Sequence, residues 1–238
     1  MMCAFDIKGY LAHFRKVYST TSSLSYVFPP RTTVMGLLAA IVGKNRDSYY
    51  EEYSQLKIAI SIKSKIRKLV FSSNYLDTDS ISHSNLRGIK GRVPVTREIL
   101  VENNGGIICY RIFVAGEVGE IVEAFKRGPC YPVALGVANF LGWIERFNAI
   151  NGFSIFNSCE QLNISTVVPN LKSITIKPEP SKRIILEERV PRTFDSYRRS
   201  GELMNYLYEE SCGTLQVSGK AEFFKCKDLE GELNGIFM

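Results

Sequence analysis

The chain has 238 residues, 45% of them hydrophobic and 23% charged, with a formal net charge of +6. These proportions are ordinary for a soluble globular protein of one large domain or two modest ones, either able to bury a real core. The longest apolar stretch, Val34 to Gly43, is ten residues, well short of the roughly 20 a membrane span requires, so no membrane partner is expected.

The opening MMCAFDIKG carries Asp6 early and has neither a basic leader nor a long apolar run, which argues against secretion and for a cytoplasmic location. Cys3, Cys109, Cys130, Cys159, Cys212 and Cys226 are scattered, with no CxxC pair and no neighbouring histidine. That spacing speaks against a zinc site and against a disulfide framework. Reduced thiols and no metal or cofactor are the expectation.

In chain order, Cys3 to Ile7 reads as a strand that continues through His13-Phe14-Arg15. Ser19 to Ser25 is a polar loop. Thr32 or Thr33 is placed to cap a helix whose Val34, Leu37, Leu38 and Ile41 follow i, i+3, i+4, i+7 spacing, with Gly43 at its end. Lys57 to Phe71 alternates in part, as a half-buried strand does. From Ser72 to Val95 the pattern fails, and polar and basic residues isolate the hydrophobic ones. A stretch of that length exceeds ordinary connections and is usually functional or disordered.

Thr96 to Glu102 and Ile107 to Val114 flank Asn103-Asn104-Gly105-Gly106 and predict a hairpin. Glu117 to Lys126 predicts a short helix. Val133 to Phe147 predicts a buried strand running into a helix, and Asn148 to Ser158 a linker. Beyond it, 161–168, 173–176, 183–190, 214–217 and 220–226 read as short strands, with one or two helical turns over Glu202 to Glu210. The fold class expected is α+β: a ferredoxin-like domain over 1–147 and a smaller β-rich unit over 159–238.

Charge is unevenly distributed. Residues 57 to 97 hold nine basic residues against Asp77 and Asp79, and residues 1 to 97 hold 15 basic and 6 acidic. The remainder holds 15 basic and 18 acidic. One half of the molecule carries the positive field, which suits a polyanionic partner or a simple solvated basic face. Lys8, Tyr10, His13, Phe14, Arg15, Lys16 and Tyr18 lead into the hydroxyl-rich loop. Arg31, Thr32 and Thr33 then open the helix, where free N–H groups and the helix dipole favour phosphate. Arg87, Lys90, Arg92 and Arg97, with isolated Tyr75, Leu76 and Leu86, suit a clamp on a single strand. The histidines are two, His13 and His83, and either a structural, RNA-contacting or acid/base role fits them. No GxSxG, P-loop, HExxH or EF-hand pattern occurs.

The series Gly9, Ala12-His13-Phe14-Arg15, Ser25-Tyr26, Phe28-Pro29-Pro30-Arg31-Thr32-Thr33, Gly36-Leu37-Leu38 and Gly43 resembles the CRISPR-associated (Cas) family conventionally numbered five. That family lies within the repeat-associated mysterious protein (RAMP) superfamily. Pro94, Arg97-Glu98, Leu100, Tyr110-Arg111-Ile112, Tyr131-Pro132 and Leu135-Gly136 look like its later landmarks. The resemblance covers about residues 3 to 145. It implies a ferredoxin-like, RRM- or RAMP-like domain with an inserted thumb, here about 72–97, in a non-catalytic RNA-binding subunit of a type I Cascade surveillance complex. The pattern is nearest the type I-B relatives.

Such a subunit caps the 5′ handle of the CRISPR RNA, meets the backbone and large subunits, and serves antiviral defence. Target DNA is engaged indirectly, through the complex. On this reading Lys8, His13, Arg15, Lys16, Tyr26, Arg31, Thr32, Thr33, Arg87, Lys90, Arg92 and Arg97 hold RNA, and no residue is catalytic. The alternative is a metal-independent endoribonuclease that processes precursor CRISPR RNA, with His13 or His83 as acid/base.

Overall fold

The computed structural model describes residues 1–76, 82–88, 92–195, 197–228 and 230–238. Strand β1 (Met2–Gly9) is buried along almost its whole length. The strand is buried on both faces because it lies in the middle of a sandwich. Its odd residues Cys3, Phe5 and Ile7 meet the helices, and Met2 and Ala4 meet the C-terminal strands. Two-residue strands β2 (Phe14–Arg15) and β3 (Ser25–Tyr26) pair across the polar loop.

Helix α1 (Arg31–Val42) follows, as its apolar spacing predicts, and Gly43 closes it in the left-handed region at φ 96°, donating to the Ala39 carbonyl. The cap differs from expectation. Pro30 occupies the cap position, no side chain caps the helix, and the Thr33 and Val34 amides both donate to the Pro30 carbonyl. Proline's fixed φ and missing donor suit a helix start without help from a hydroxyl.

After α2 (Tyr50–Tyr53) and β4 (Lys57–Ile62), the chain leaves the sheet as β5 (Ile66–Leu76). It passes through the single turn α3 (His83–Leu86) and returns as β6 (Arg92–Glu102). Strand β7 (Ile108–Ala115), helix α4 (Gly119–Arg127) and β8 (Gly142–Ile150) complete this part. The sheet order is β4-β7-β1-β8, antiparallel throughout. Helices α1 and α4 pack on one face, through Leu38 and Ile41 on the first and Ile121 and Val122 on the second.

The hairpin expected around Asn103-Asn104-Gly105-Gly106 is not formed. β6 pairs instead with β5 in eleven consecutive positions, Ile66↔Glu102 to Leu76↔Arg92, while β7 pairs with β1 and β4. The turn is real, with the Asn104 and Gly106 amides donating to the Glu102 carboxylate at 2.8 Å each, but it joins two different sheets. Residues 72–76 and 92–97 thus lie on a two-stranded ribbon that reaches beyond the expected insertion at both ends, while 77–81 and 89–91 lie outside the described residues.

The remainder is strand and turn: β9 (Phe153–Ile164), β10 (Val168–Pro169), β11 (Ile174–Lys177), β12 (Ile184–Pro191), β13 (Leu203–Glu209), β14 (Leu215–Asp228) and β15 (Gly231–Ile236). Three expectations fail here. Residues 142–150 are strand, not helix; 148–158 is strand on both sides of a short turn, not a linker; and 203–209 is strand. In each case tertiary pairing overrides local propensity, as with β13, held between β10 and β12.

Phe224, Cys226 and Phe237 cover the rear face of the main sheet against Ala4, Ala59 and Phe113. The outer edge of β4 is also closed: the Val167 and Met238 amides donate to the Ile60 and Ile58 carbonyls. The six cysteines are free thiols, and burial raises the Cys3 and Cys226 pKa values to about 12. No described helix is long and apolar enough to cross a membrane.

Candidate nucleic-acid interface

The motif from Gly9 to Gly43 is used largely as a joint. Ala12 exchanges both backbone hydrogen bonds with Leu100, Ser23 donates to Thr96 and accepts from Glu98, and the Ser25 amide donates to the Glu98 carboxylate at 2.7 Å. These bonds fasten the root of the β5–β6 ribbon to the loop between β1 and α1. The loop is fastened in turn to β12. The Tyr26 hydroxyl donates to the Arg189 carbonyl at 2.6 Å, the Val27 amide donates to Glu187, and Lys16 forms an ion pair with the same buried carboxylate.

His13 sits inside this joint, 1% exposed. Its Nδ1 is 2.7 Å from the Glu98 carbonyl, which only accepts, so Nδ1 carries the proton and Nε2 accepts from the Ser23 hydroxyl at 3.0 Å. Both ring nitrogens are occupied. Burial above all, with the nearby charges of Arg97 and Arg15, lowers the pKa below its ordinary 6.5. Packed against the backbone of this residue is Gly136, at φ 94°, whose added Cβ would lie 2.0 Å from the His13 carbonyl oxygen.

A neutral folded imidazole gives stability that is present above the unfolded pKa and is lost as pH falls through it toward the lower folded value. His13→Gln is therefore expected to flatten the decline in urea midpoint between about pH 7 and about pH 5.5. An unchanged slope in unfolding curves at the two pH values would contradict this placement.

Arg31, expected to fork onto phosphate, is 5% exposed and turned inward. Its guanidinium donates to the carbonyls of Ser54 (2.7 Å), Leu56 (2.8 Å) and Arg192 (3.1 Å). Burial, and then the charge of Arg192, lowers its pKa. Thr32 is buried as well. The structure places His13, Tyr26 and Arg31 in the interior, bonded to this chain's own backbone, and Thr32 is buried at the start of α1. Lys16 is engaged by Glu187, and Lys8 by Glu145 at 2.5 Å.

The remaining expected residues lie nearer the surface. Arg15 is exposed on β2, and Arg87 and Arg92 are exposed on the ribbon arm. Arg97 is half-buried at the ribbon root, donating to the Tyr75 hydroxyl at 3.3 Å and lying 5.7 Å from the Phe140 ring. Thr33 lines a cavity of about 260 Å³ with Tyr49, Pro132, Gly136 and Arg198. Lys90 lies outside the described residues.

One face of the ribbon, set by the pairs Leu69↔Ile99, Phe71↔Arg97 and Tyr75↔Val93, exposes aromatic and aliphatic groups beside the cations. Phe71 is 41% and Tyr75 46% exposed. Glu98, which with Glu187 organises the joint, and Arg111 stand in the sequence as landmarks without an assigned role, and the role of Glu187 went unread; the clue to Arg111 is a single charge inside the apolar strand ICYRIFVA.

Residues 2–108 match the family model described as CRISPR-associated protein (Cas_Cas5). Over that stretch the chain is similar to that family. The stretch contains the residues that build the joint and the ribbon root. In fold the whole chain is similar to a CRISPR protein from Archaeoglobus fulgidus, with a TM-score of 0.59, 13% identity and 99% of each chain covered. It is also similar to a chain of a CRISPR RNA-guided surveillance complex, with a TM-score of 0.55, 13% identity and 91% of each chain covered. No curated protein matches the chain. In fold the chain is thus a mixed α/β protein built on antiparallel sheets.

Proposed function

We propose that this protein is the RNA-binding subunit of a type I CRISPR effector complex, capping the 5′ handle of the CRISPR RNA without cutting it. The observation that carries the reading is the β5–β6 ribbon, eleven pairs long and standing off the sheet with exposed cations beside exposed aromatic groups. Cations neutralise phosphates while aromatic faces accept unstacked bases, which is the chemistry of single-strand binding. The β1-α1-β4-β7-α4-β8 order supports the ferredoxin-like description, and the ribbon is read as the family's thumb, directed at the backbone subunit. The engagement of both His13 nitrogens within the joint supports a non-catalytic role. The large subunit, a type I-B assignment and a role in antiviral defence belong to the same reading.

The test is binding of a labelled handle RNA across a salt series. The double variant Arg87→Ala/Arg92→Ala is expected to weaken binding about equally for unrelated single strands and to reduce the log–log salt slope by about 0.7 per lost phosphate contact. Wild-type slope and affinity in that variant would remove the ribbon from the interface. Clean cleavage of repeat RNA in chelator, lost in His83→Ala, would replace capping with endoribonuclease chemistry.

A further inference from the structure

At the other end of β4 and β7 the charge reverses. The register runs from Ile62↔Tyr110 beside the ribbon root to Lys57↔Ala115, five residues further along, or about 17 Å of strand. Beyond Lys57↔Ala115 a cavity of about 350 Å³ opens between the end of α2 and the start of α4. Glu52, Glu117 and Glu120 stand around it, while Leu56 and Ile121 contribute apolar wall. Lys44 already bridges Glu52 (3.1 Å) and Glu120 (2.9 Å), which leaves a net negative rim on a protein that is basic as a whole.

Tyr53, 3% exposed, also lines the cavity. Its hydroxyl oxygen is buried without a hydrogen-bond partner among the described residues. A buried hydroxyl left unpaired costs about 1–3 kcal/mol. The ring sits close enough to Glu120 for that charge to add to burial in raising its pKa to about 12, so the phenol is neutral.

We infer that this cavity receives an arginine side chain of a protein partner, at a site separate from the RNA-facing ribbon. The fit has three parts. An arginine stem is apolar and packs on Leu56 and Ile121. Its planar fork carries five N–H donors, enough to serve the Tyr53 oxygen and rim carboxylates together. A phosphate backbone is repelled by the same rim. Exposed ion pairs contribute little alone, so the buried hydroxyl and the apolar wall are what make this an anchor.

The probe is the peptide acetyl-Gly-Arg-Gly-amide, titrated against the full chain by NMR, with the citrulline peptide as its uncharged counterpart. The arginyl peptide is expected to bind about five- to tenfold more tightly than the citrulline one, and Glu117→Gln to erase most of that difference. Tyr53→Phe is expected to weaken the arginyl peptide while leaving the thermal midpoint unchanged or higher, since it removes an unpaired group. Equal binding of the two peptides, no binding by either, or a Tyr53→Phe variant that loses stability but not peptide affinity would each overturn the inference. Handle-RNA binding by Glu117→Gln is expected to match wild type, which keeps this result independent of the proposed RNA function.

Discussion

Arg31→Ala is expected to lower folding stability by roughly 3–5 kcal/mol, a large part of a normal domain's total. The guanidinium is the shared donor for the Ser54 and Leu56 carbonyls of the α2–β4 connection and the Arg192 carbonyl just after β12, and its removal leaves buried acceptors without partners. Arg31→Lys is expected to recover only part of the loss, because one ammonium cannot reach the same carbonyls in a plane. Urea unfolding of the two variants measures this directly. A variant of wild-type stability whose handle binding loses about 0.7 in salt slope would return Arg31 to the phosphate role its sequence context suggests.

The second large effect is expected at Arg111. This side chain holds Asp6 through two hydrogen bonds of 2.6 and 2.9 Å, Asp228 at 2.7 Å and Glu230 at 2.9 Å. Asp6 lies on β1, and the other two acids lie at the β14–β15 turn, so the cluster joins the main sheet to the C-terminal strands. Arg111→Met leaves Asp6 and Asp228 buried without a counter-charge, at a cost of about 3–5 kcal/mol. The double variant Asp6→Asn/Arg111→Met is expected to be less destabilised than Arg111→Met alone, since it buries one charge fewer.

Acid sensitivity should change with it. Lys63, then Arg111, hold the Glu230 pKa down to about 2 against an ordinary 4.5. Its contribution is complete above about pH 4.5 and is lost as pH falls toward 2. In Arg111→Met the folded pKa moves back up while Lys63 remains, so this part of the acid transition becomes shallower. Unfolding midpoints between about pH 5 and about pH 2.5 report it, and an unaltered profile would deny Arg111 that influence.

The elements that announced themselves in the sequence were those whose local pattern and final environment agree. Helix α1 with Gly43 and helix α4 each carry a periodicity that their burial satisfies, whereas strand β1 is buried on both faces and ends at Gly9, with Phe14–Arg15 in a separate strand. The ribbon was legible only as a break in pattern, because a two-stranded arm with both faces largely in solvent has no core to impose alternation. The turn at 103–106 misled for a related reason. Asn-Asn-Gly-Gly specifies a reversal, but which sheet the strand beyond it joins is decided by pairing partners far off in sequence, as in Ile62 with Tyr110.

The candidate site was read by residue type, and type does not report orientation. Arg31 and Arg92 are the same residue in the sequence; one is sealed among carbonyls and the other is exposed. His13 was conspicuous as the histidine of an ordered motif. Its position between Glu98 and Ser23 depends on a strand 85 residues later.

The joint at the ribbon root also orders events during synthesis. A chain emerges from the ribosome N-terminus first, at about 5–20 residues per second. The loop carrying Lys16, Tyr26 and Val27 is made early, yet its partners Glu187 and Arg189 arrive some 160 residues later. Until then Lys16 and Tyr26 have water in place of their final contacts, and the arm they brace has its own ladder and its bonds to Ala12, His13, Ser23 and Ser25. The N-terminal motif therefore reaches its finished form only when β12 has been translated, and a nascent chain stalled before Glu187 would present the arm without its brace.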